Sequence, residues 1–510
     1  MPRYLLIPAM PTPNGPLHLG HVSGPYLRMD VLARHLRRTG SEVWLISASD
    51  GWETHVLPRA DAEGKSAQAV CNEYHEVILD CFGAIGIEFD RFFNPLSDEY
   101  CGRAEAIYRS VFAEVLKNED EVIFRNEMIP VSSVYGEPVL GSYIGGICPG
   151  CGVEDLGGFY CEDCGVEAQP QDLGAPWSER ANDSFEWQRA RSAFLLVKDR
   201  KALRADIETR CSDRALIDLA FNSVRLNGGA TRLTHPGNWG VTVAHGAELS
   251  PMSRAFSYPG MFTLSLLCAE IAHEELGCSA EPFSPNSEVI TVKSFGYDNT
   301  VPYLIGATLI GQLCANIRPF DVYLTNHFAT LDGRKFSTSA QHAIWANEAL
   351  EELRTDTDTL RAYMCLANPQ FERSDFSRTG FADYAAKWNA AIARVMTGVR
   401  PGQLAHSDAA ALCVLFKEQL RTLEPSTFDL KKAFLTLDAW LGTCPAGGWN
   451  AAYSVAFAAL AYPFVPETSL KIIGKFGSDI RCGQTGGEAG TSEWRSIQNV
   501  LSYLTSKAEN

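Results

Sequence analysis

Residues 3–24 read RYLLIPAMPTPNGPLHLGHVSG, and how this stretch divides decides the fold. Residues 3–8 form a short apolar run of strand type, and beyond Pro16 the apolar residues Leu19, Val22, Tyr26, Met29, Ala33 and Leu36 recur at spacings of three and four. That spacing predicts one face of a helix. The helix should stop near Thr39-Gly40, where glycine is a natural C-terminal signal, and a second strand follows over 43–48, ending before Asp50. Strand, turn, helix and strand in this order begin a parallel α/β sheet.

In such a unit the ligand sits outside the carboxyl ends of the strands, where a helix N-terminus offers N–H groups and partial positive charge to phosphate. Asn14-Gly15-Pro16 places glycine where the backbone must approach closely, and His18 and His21, with Gly20 between them, fall in the first helical turn. Imidazoles there can donate hydrogen bonds to a triphosphate and to charge that develops on it as a bond breaks. Two ordinary helix-terminal histidines satisfy the same local pattern, so support must come from elsewhere in the chain.

At 510 residues, with 46% apolar and 10% aromatic residues, the chain is long enough for several domains with ample core. A net charge of −17 argues against a surface coated with positive charge for long nucleic acids, so no DNA partner is expected. The acid excess lies before residue 381, and the remainder is close to neutral. No apolar run reaches 18 residues, so no membrane span is expected, and the opening MPRYLLIPAM lacks the apolar stretch of a secretory signal; the expected location is the cytoplasm.

Four of the fifteen cysteines, Cys148, Cys151, Cys161 and Cys164, form two Cys-x-x-Cys pairs nine residues apart in CPGCGVEDLGGFYCEDCG. This spacing suits four thiolates closing on tetrahedral zinc, with no open position for water, hence a structural site. A redox pair is the competing reading.

The string Pro-x-x-Asn-Gly-x-x-His-Leu-Gly-His resembles the His-Ile-Gly-His signature of class I aminoacyl-tRNA synthetases, and its Pro-Asn-Gly context most resembles their methionyl branch. Residues 333–339, GRKFSTS, resemble the family's Lys-Met/Phe-Ser-Lys-Ser loop, with Lys335, Phe336, Ser337 and Ser339 fitting, Thr338 standing where the second lysine belongs, and Arg334 beside them as a compensating charge. The family carries a similar zinc knuckle in the insertion between the halves of its nucleotide-binding domain. Thr231-Arg232 and Asn238-Trp239-Gly240-Val241 resemble the segments where the chain re-enters that domain, and residues 356–363 resemble the start of the helical region. Residues 294–299, SFGYDN, resemble the family's Phe-x-Gly-Lys-Asp segment, with Gly296 and Asp298 kept and Tyr297 replacing the lysine.

The resemblance implies ATP and Mg2+ at Asn14, Gly15, His18, Gly20, His21, Gly296, Asp298, Arg334, Lys335, Ser337 and Ser339, with His18, His21 and Lys335 catalytic, and zinc at the four cysteines. It implies an amino-acid site at Met10, Thr12, Asp50, Ser257 and Tyr303, with Asp50 pairing with the α-ammonium. Several of these depart from the family: Met10 and Thr12 replace Leu and Tyr, Ser257 replaces a Trp, and Tyr303 replaces a His. Loss of rings on the order of 150–250 Å² each predicts a wider, more polar pocket. The family's anticodon readers find no match at residues 394–397 or 444–449.

The expected fold is α/β: a Rossmann-type parallel-sheet catalytic domain with a zinc-knuckle insertion, followed by an all-α bundle. Its divisions are 1–115 and 216–330 for the two catalytic halves, 116–215 for the insertion, 331–385 for the loop and stem-contact region, and 386–510 for the anticodon-binding-like bundle. Helices are expected over 387–399, 430–441, 451–462 and 493–504, with a glycine-dense surface loop over 483–490. The implied activity is an ATP-dependent ligase that forms an aminoacyl adenylate and passes the aminoacyl group to tRNA. The departures motivate two others: a repurposed paralogue serving a small-molecule acceptor, and a catalytically silent RNA- or nucleotide-binding regulator.

Overall fold

The computed structural model describes the chain except residues 155, 162, 244–247, 337–341, 398–401, 444–448, 478–491 and 510. Its centre is a five-stranded, all-parallel sheet of β1 (Arg3–Pro8), β2 (Glu42–Ala48), β3 (Arg91–Phe93), β4 (Val289–Gly296) and β5 (Val322–Asn326). The order across the sheet is β5-β4-β1-β2-β3. The chain runs outward in one direction from β1 through β2 to β3, then returns to add β4 and β5 on the other side. This reversal opens a crevice at the carboxyl end of β1. Leu5, Leu6 and Ile7 are wholly buried, the near-continuous apolar run of a strand covered on both faces.

The helix after β1 carries the expected apolar face, with Leu19, Val22, Tyr26, Met29, Ala33 and Leu36 all buried. It is not continuous, however. A single α-turn (Leu19–His21) is followed by a π-turn (Val22–Tyr26) before the regular helix Leu27–Arg38. Pro25 lies inside the π-turn. Proline has no N–H and its ring crowds the carbonyl four residues back, so the wider turn accommodates it. The side chain of Asn368 donates to the Ser23 carbonyl at 2.6 Å, supplying a partner at the distortion. A Cβ at Gly24 would lie 2.8 Å from the Asn326 side chain, so glycine lets the π-turn close against the end of β5.

Between the sheet halves lies the insertion. Strands Val122–Ser132 and Phe185–Leu196 pair antiparallel along their length, and the third strand of this sheet is Ala230–Arg232, beyond the expected limit at residue 215. Arg232 is buried there, ion-paired with Glu127 and hydrogen-bonded to Gln169. After β5, strands Ala329–Leu331, Arg334–Lys335 and Ser374–Phe376 form a small sheet.

The helical region contains Arg378–Thr397, His406–Thr422, Leu430–Gly442, Ala451–Ala461, Pro466–Phe476 and Ser492–Ala508. The expected loop over 483–490 lies outside the described residues. Among the described residues no helix is long and apolar enough to cross a membrane.

Candidate active site

The two motifs that lie some 300 residues apart in sequence meet at the carboxyl edge of the sheet. His18 caps the first helical turn: its Nδ1 accepts from the His21 backbone N–H at 3.2 Å, and His21 Nδ1 accepts in return from the His18 N–H at 3.3 Å. The imidazoles stack at 3.6 Å between centroids. Burial and the second imidazole hold His18 well below the ordinary histidine range, so its ring is neutral near pH 7. With Nδ1 accepting in both rings, a ring proton belongs on Nε2 of each imidazole.

On its other side His18 stacks on Phe336 at 4.5 Å. The Leu19 N–H donates to the Ile344 carbonyl at 2.9 Å and the Ala346 N–H to the Leu17 carbonyl at 2.8 Å, stitching the two motifs together. Phe336 ends a hairpin whose turn, Asp332-Gly333, has positive φ at both residues, the geometry an Asp-Gly pair tolerates best. Arg334 and Lys335 form the exposed return strand, and Arg334 reaches His342 at 3.3 Å. A Cβ on Gly20 would stand 2.8 Å from the Phe336 ring, so this glycine is a packing requirement of the junction. Ser337 and Ser339 lie outside the described residues.

Asn14 donates to the His55 carbonyl at 3.1 Å, tying the approach to His18 to the loop after β2. Gly15 meets open space at its Cβ position. Gly296 closes β4, and the next turn (Tyr297–Asn299) carries Asp298. Tyr297 reaches across to the cysteine-rich knuckle, donating to the Asp163 carbonyl at 3.4 Å.

Asp50 follows β2 and is buried, with Oδ1 lacking any hydrogen-bond partner. Burial first, then the neighbouring Glu53, pushes its carboxyl up to about 8. Trp239 donates to the Gly51 carbonyl at 3.0 Å and holds this loop from the re-entry segment. Met10 is buried just past β1, Thr12 is half-buried, Ser257 opens the helix Ser257–Glu274, and Tyr303 is wholly buried with its hydroxyl on Met261 Sδ at 3.3 Å.

Burial first, then charge from neighbours including Asp50, holds the hydroxyls of Tyr108, Tyr258 and Tyr303 above the ordinary tyrosine range, and Trp52 packs edge-on to Tyr108 at 5.1 Å.

Lys293 escaped sequence reasoning. It lies in β4, wholly buried, donating to the Pro8 carbonyl at 3.1 Å with its ammonium 4.4 Å from the Tyr303 ring centroid. Burial lowers it to about 7, offset in part by Cys268 and Asp50. The signal was present: lysine is the one charged residue in the strand VITVKSFG.

The four knuckle cysteines gather with their sulfurs within 4.8 Å of one another. Cys148 and Cys164 are 3.7 Å apart, as are Cys151 and Cys161. Tetrahedral zinc with Zn–S bonds of about 2.3 Å sets sulfurs roughly 3.8 Å apart, so the donor set fits zinc and exceeds the length of a disulfide. Ile144 and Leu156, with neighbouring Val139 and Leu173, are the knuckle's own small core.

A family model described as tRNA synthetases class I (M) matches residues 4–248 and 287–399. Methionine–tRNA ligase of Roseiflexus castenholzii is 30% identical over 442 residues, covering 80% of this chain and 72% of that one. The corresponding ligase of Cytophaga hutchinsonii is 28% identical over 406 residues, 76% of this chain and 56% of its own length. A relative from Parabacteroides distasonis is covered over 57%, so the chain spans little more than half of these last two. The solved methionyl-tRNA synthetase of Mycobacterium tuberculosis bound by methionyl-adenylate shares the fold at a TM-score of 0.66 and 15% identity, over 92% of this chain and 93% of that one.

Proposed function

The chain belongs to the class I tRNA synthetase (M) family, and from that premise we propose that it is an ATP-dependent ligase that activates an amino acid, methionine first among candidates, and transfers it to tRNA. The contact that carries this reading is His18 stacked on Phe336, which joins both phosphate-facing motifs beside a buried carboxylate. The relatives reported above are named for methionine and tRNA.

In this reading Asp50 receives the α-ammonium on the oxygen that lacks a partner, and the amino acid's carboxylate attacks the α-phosphate of ATP. Met10, Thr12, Ser257 and Tyr303 bound the side chain. The Nε2–H groups of His18 and His21 donate to phosphate oxygens as negative charge shifts to the departing pyrophosphate, and Lys335 follows it from the exposed hairpin. Asn14, Gly15, Gly20, Gly296, Asp298, Arg334, Ser337 and Ser339 shape the nucleotide site, and Mg2+ enters with ATP. Positioning and preorganised charge supply the catalysis. A ribose hydroxyl at the tRNA 3′ end then attacks the aminoacyl carbonyl and AMP leaves.

Zinc at Cys148, Cys151, Cys161 and Cys164 would hold the knuckle against Tyr297 without entering the chemistry. Buried cysteines such as Cys71, Cys268 and Cys365 are free thiols, which suits a reducing compartment, the cytoplasm. ATP–pyrophosphate exchange with an amino-acid panel, with and without total tRNA, tests the assignment. Methionine-dependent exchange with tRNA charging is expected; a folded protein that binds ATP yet exchanges with no amino acid would return the site to the silent-regulator reading, and exchange without charging would return it to a small-molecule acceptor.

A further inference from the structure

The chain that follows the hairpin comes back alongside the first histidine. Ile344 and Ala346 are wholly buried, and the alternation of an extended chain turns Trp345, between them, to the opposite face, where it is half-buried. His18 and Trp345 form an antiparallel bridge, flanked by the Leu19–Ile344 and Ala346–Leu17 hydrogen bonds. Residues directly opposite in such a pair present their side chains on one face. The two rings accordingly lie 6.3 Å apart between centroids, tilted by 39°. The Trp345 carbonyl accepts from the Glu348 N–H at 3.1 Å, which fixes the chain where it leaves the bridge.

His18 is stacked on His21 and on Phe336, so Trp345, tilted and more distant, stands beside the imidazole rather than on it. The indole Nε1–H makes no hydrogen bond among the described residues, and it is not sealed from solvent. An indole N–H donates and never accepts, so the group it suits is an oxyanion. Thr338 stands where the family's loop carries a second lysine, which leaves room for another donor at this end of the site.

Building on the ligase assignment, we propose that Trp345 is a further nucleotide contact of the activation step, its Nε1–H donating to an oxygen of the departing pyrophosphate beside the Nε2–H of His18. The carboxylate oxygen bonds to the α-phosphorus as the bond to the bridging oxygen breaks, and the electron pair leaves with pyrophosphate. The indole keeps its proton throughout. It lends a preorganised dipole to the oxygen on which charge accumulates.

The test uses the full chain, isotope-labelled at its tryptophan indole nitrogens and titrated with Mg-pyrophosphate. The Trp345 resonance is identified as the one missing from both Trp345→Phe and Trp345→Tyr. A saturable displacement of that resonance is expected. Trp345→Phe keeps a ring beside His18 and removes only the donor, so it should raise KM for pyrophosphate in exchange about tenfold, with KM for the amino acid and the thermal midpoint unchanged. A Trp345 resonance that stays in place while pyrophosphate raises the thermal midpoint to saturation overturns the proposal. Parent exchange kinetics in Trp345→Phe, or a loss confined to its thermal midpoint, makes Trp345 a packing residue and overturns it as well. In each of those cases the ligase assignment stands on the parent's own exchange. A parent chain in which neither ATP nor pyrophosphate moves any indole resonance or the thermal midpoint fails that assignment, and this proposal with it.

Discussion

Buried charge is treated in opposite ways at the two faces of the nucleotide-binding domain. Where the helix after β1 meets the helical region, Asp30 accepts from Arg34 at 2.9 Å, from Arg361 at 2.6 Å and from the Glu88 N–H at 3.3 Å. Arg361 also donates to the carbonyls of Ile85, Gly86 and Phe464. Every charge has its counterpart, and Asp30 is held below the ordinary carboxylate range by these partners despite burial. At the carboxyl edge of the sheet, Asp50 keeps an oxygen unpartnered and its carboxyl is pushed up to about 8. A satisfied buried charge builds structure, whereas an unsatisfied one awaits a ligand.

Asp50→Asn separates these roles most sharply. Between pH 3.8 and about 8 the folded carboxyl holds a proton that the unfolded one has lost, so stability falls as pH rises through that window. Asparagine removes this penalty, and chemical denaturation at pH 7 should show a gain on the order of 2–4 kcal/mol that vanishes below pH 4. The same change deprives the ammonium of its anchor and should cut amino-acid-dependent exchange by about 10³-fold. A variant both less stable and still active would contradict the comparison.

Asp30→Ala should do the reverse. It strands two buried guanidinium groups, with an expected loss of about 3–5 kcal/mol in denaturant unfolding, while exchange per folded molecule stays near the parent value. If exchange collapsed in material shown to be folded, the division between the two faces would fail.

Gly20→Ala tests the junction itself. The added methyl group displaces Phe336 from His18, and misplacing the hairpin should lower kcat by about 10–100-fold with little effect on the thermal midpoint. Pairing it with Phe336→Leu, which gives way to the methyl, should recover part of that loss.

The first β–α–β unit was legible because a buried parallel strand and an amphipathic helix each leave a plain periodicity, as did the knuckle because metal ligands fix cysteine spacing. The π-turn was not legible, although Pro25 inside an apolar face marked it. The electrostatic coupling of Asp50 to Tyr108 and Tyr258 was not legible either, since those tyrosines come from different helices, 58 and 208 residues along, and only tertiary packing brings them within its reach. Lys293 shows the same limit, as its burial depends on β1 and Tyr303 lying on either side.

The pairing of Asp50 with Lys293 yields the smallest effect and the finest discrimination. An ammonium substrate binds the ionised carboxylate, and Asp50 titrates near 8 without substrate, so KM for the amino acid should fall as pH rises, by about tenfold between pH 7 and 8.5. Lys293 lowers the Asp50 carboxyl through its charge. Lys293→Met should therefore move the inflection upward and raise KM at pH 7, leaving the pH dependence of ATP binding unchanged. A structural lysine with no electrostatic bearing on Asp50 would alter stability alone, and the KM inflection would stay where it was.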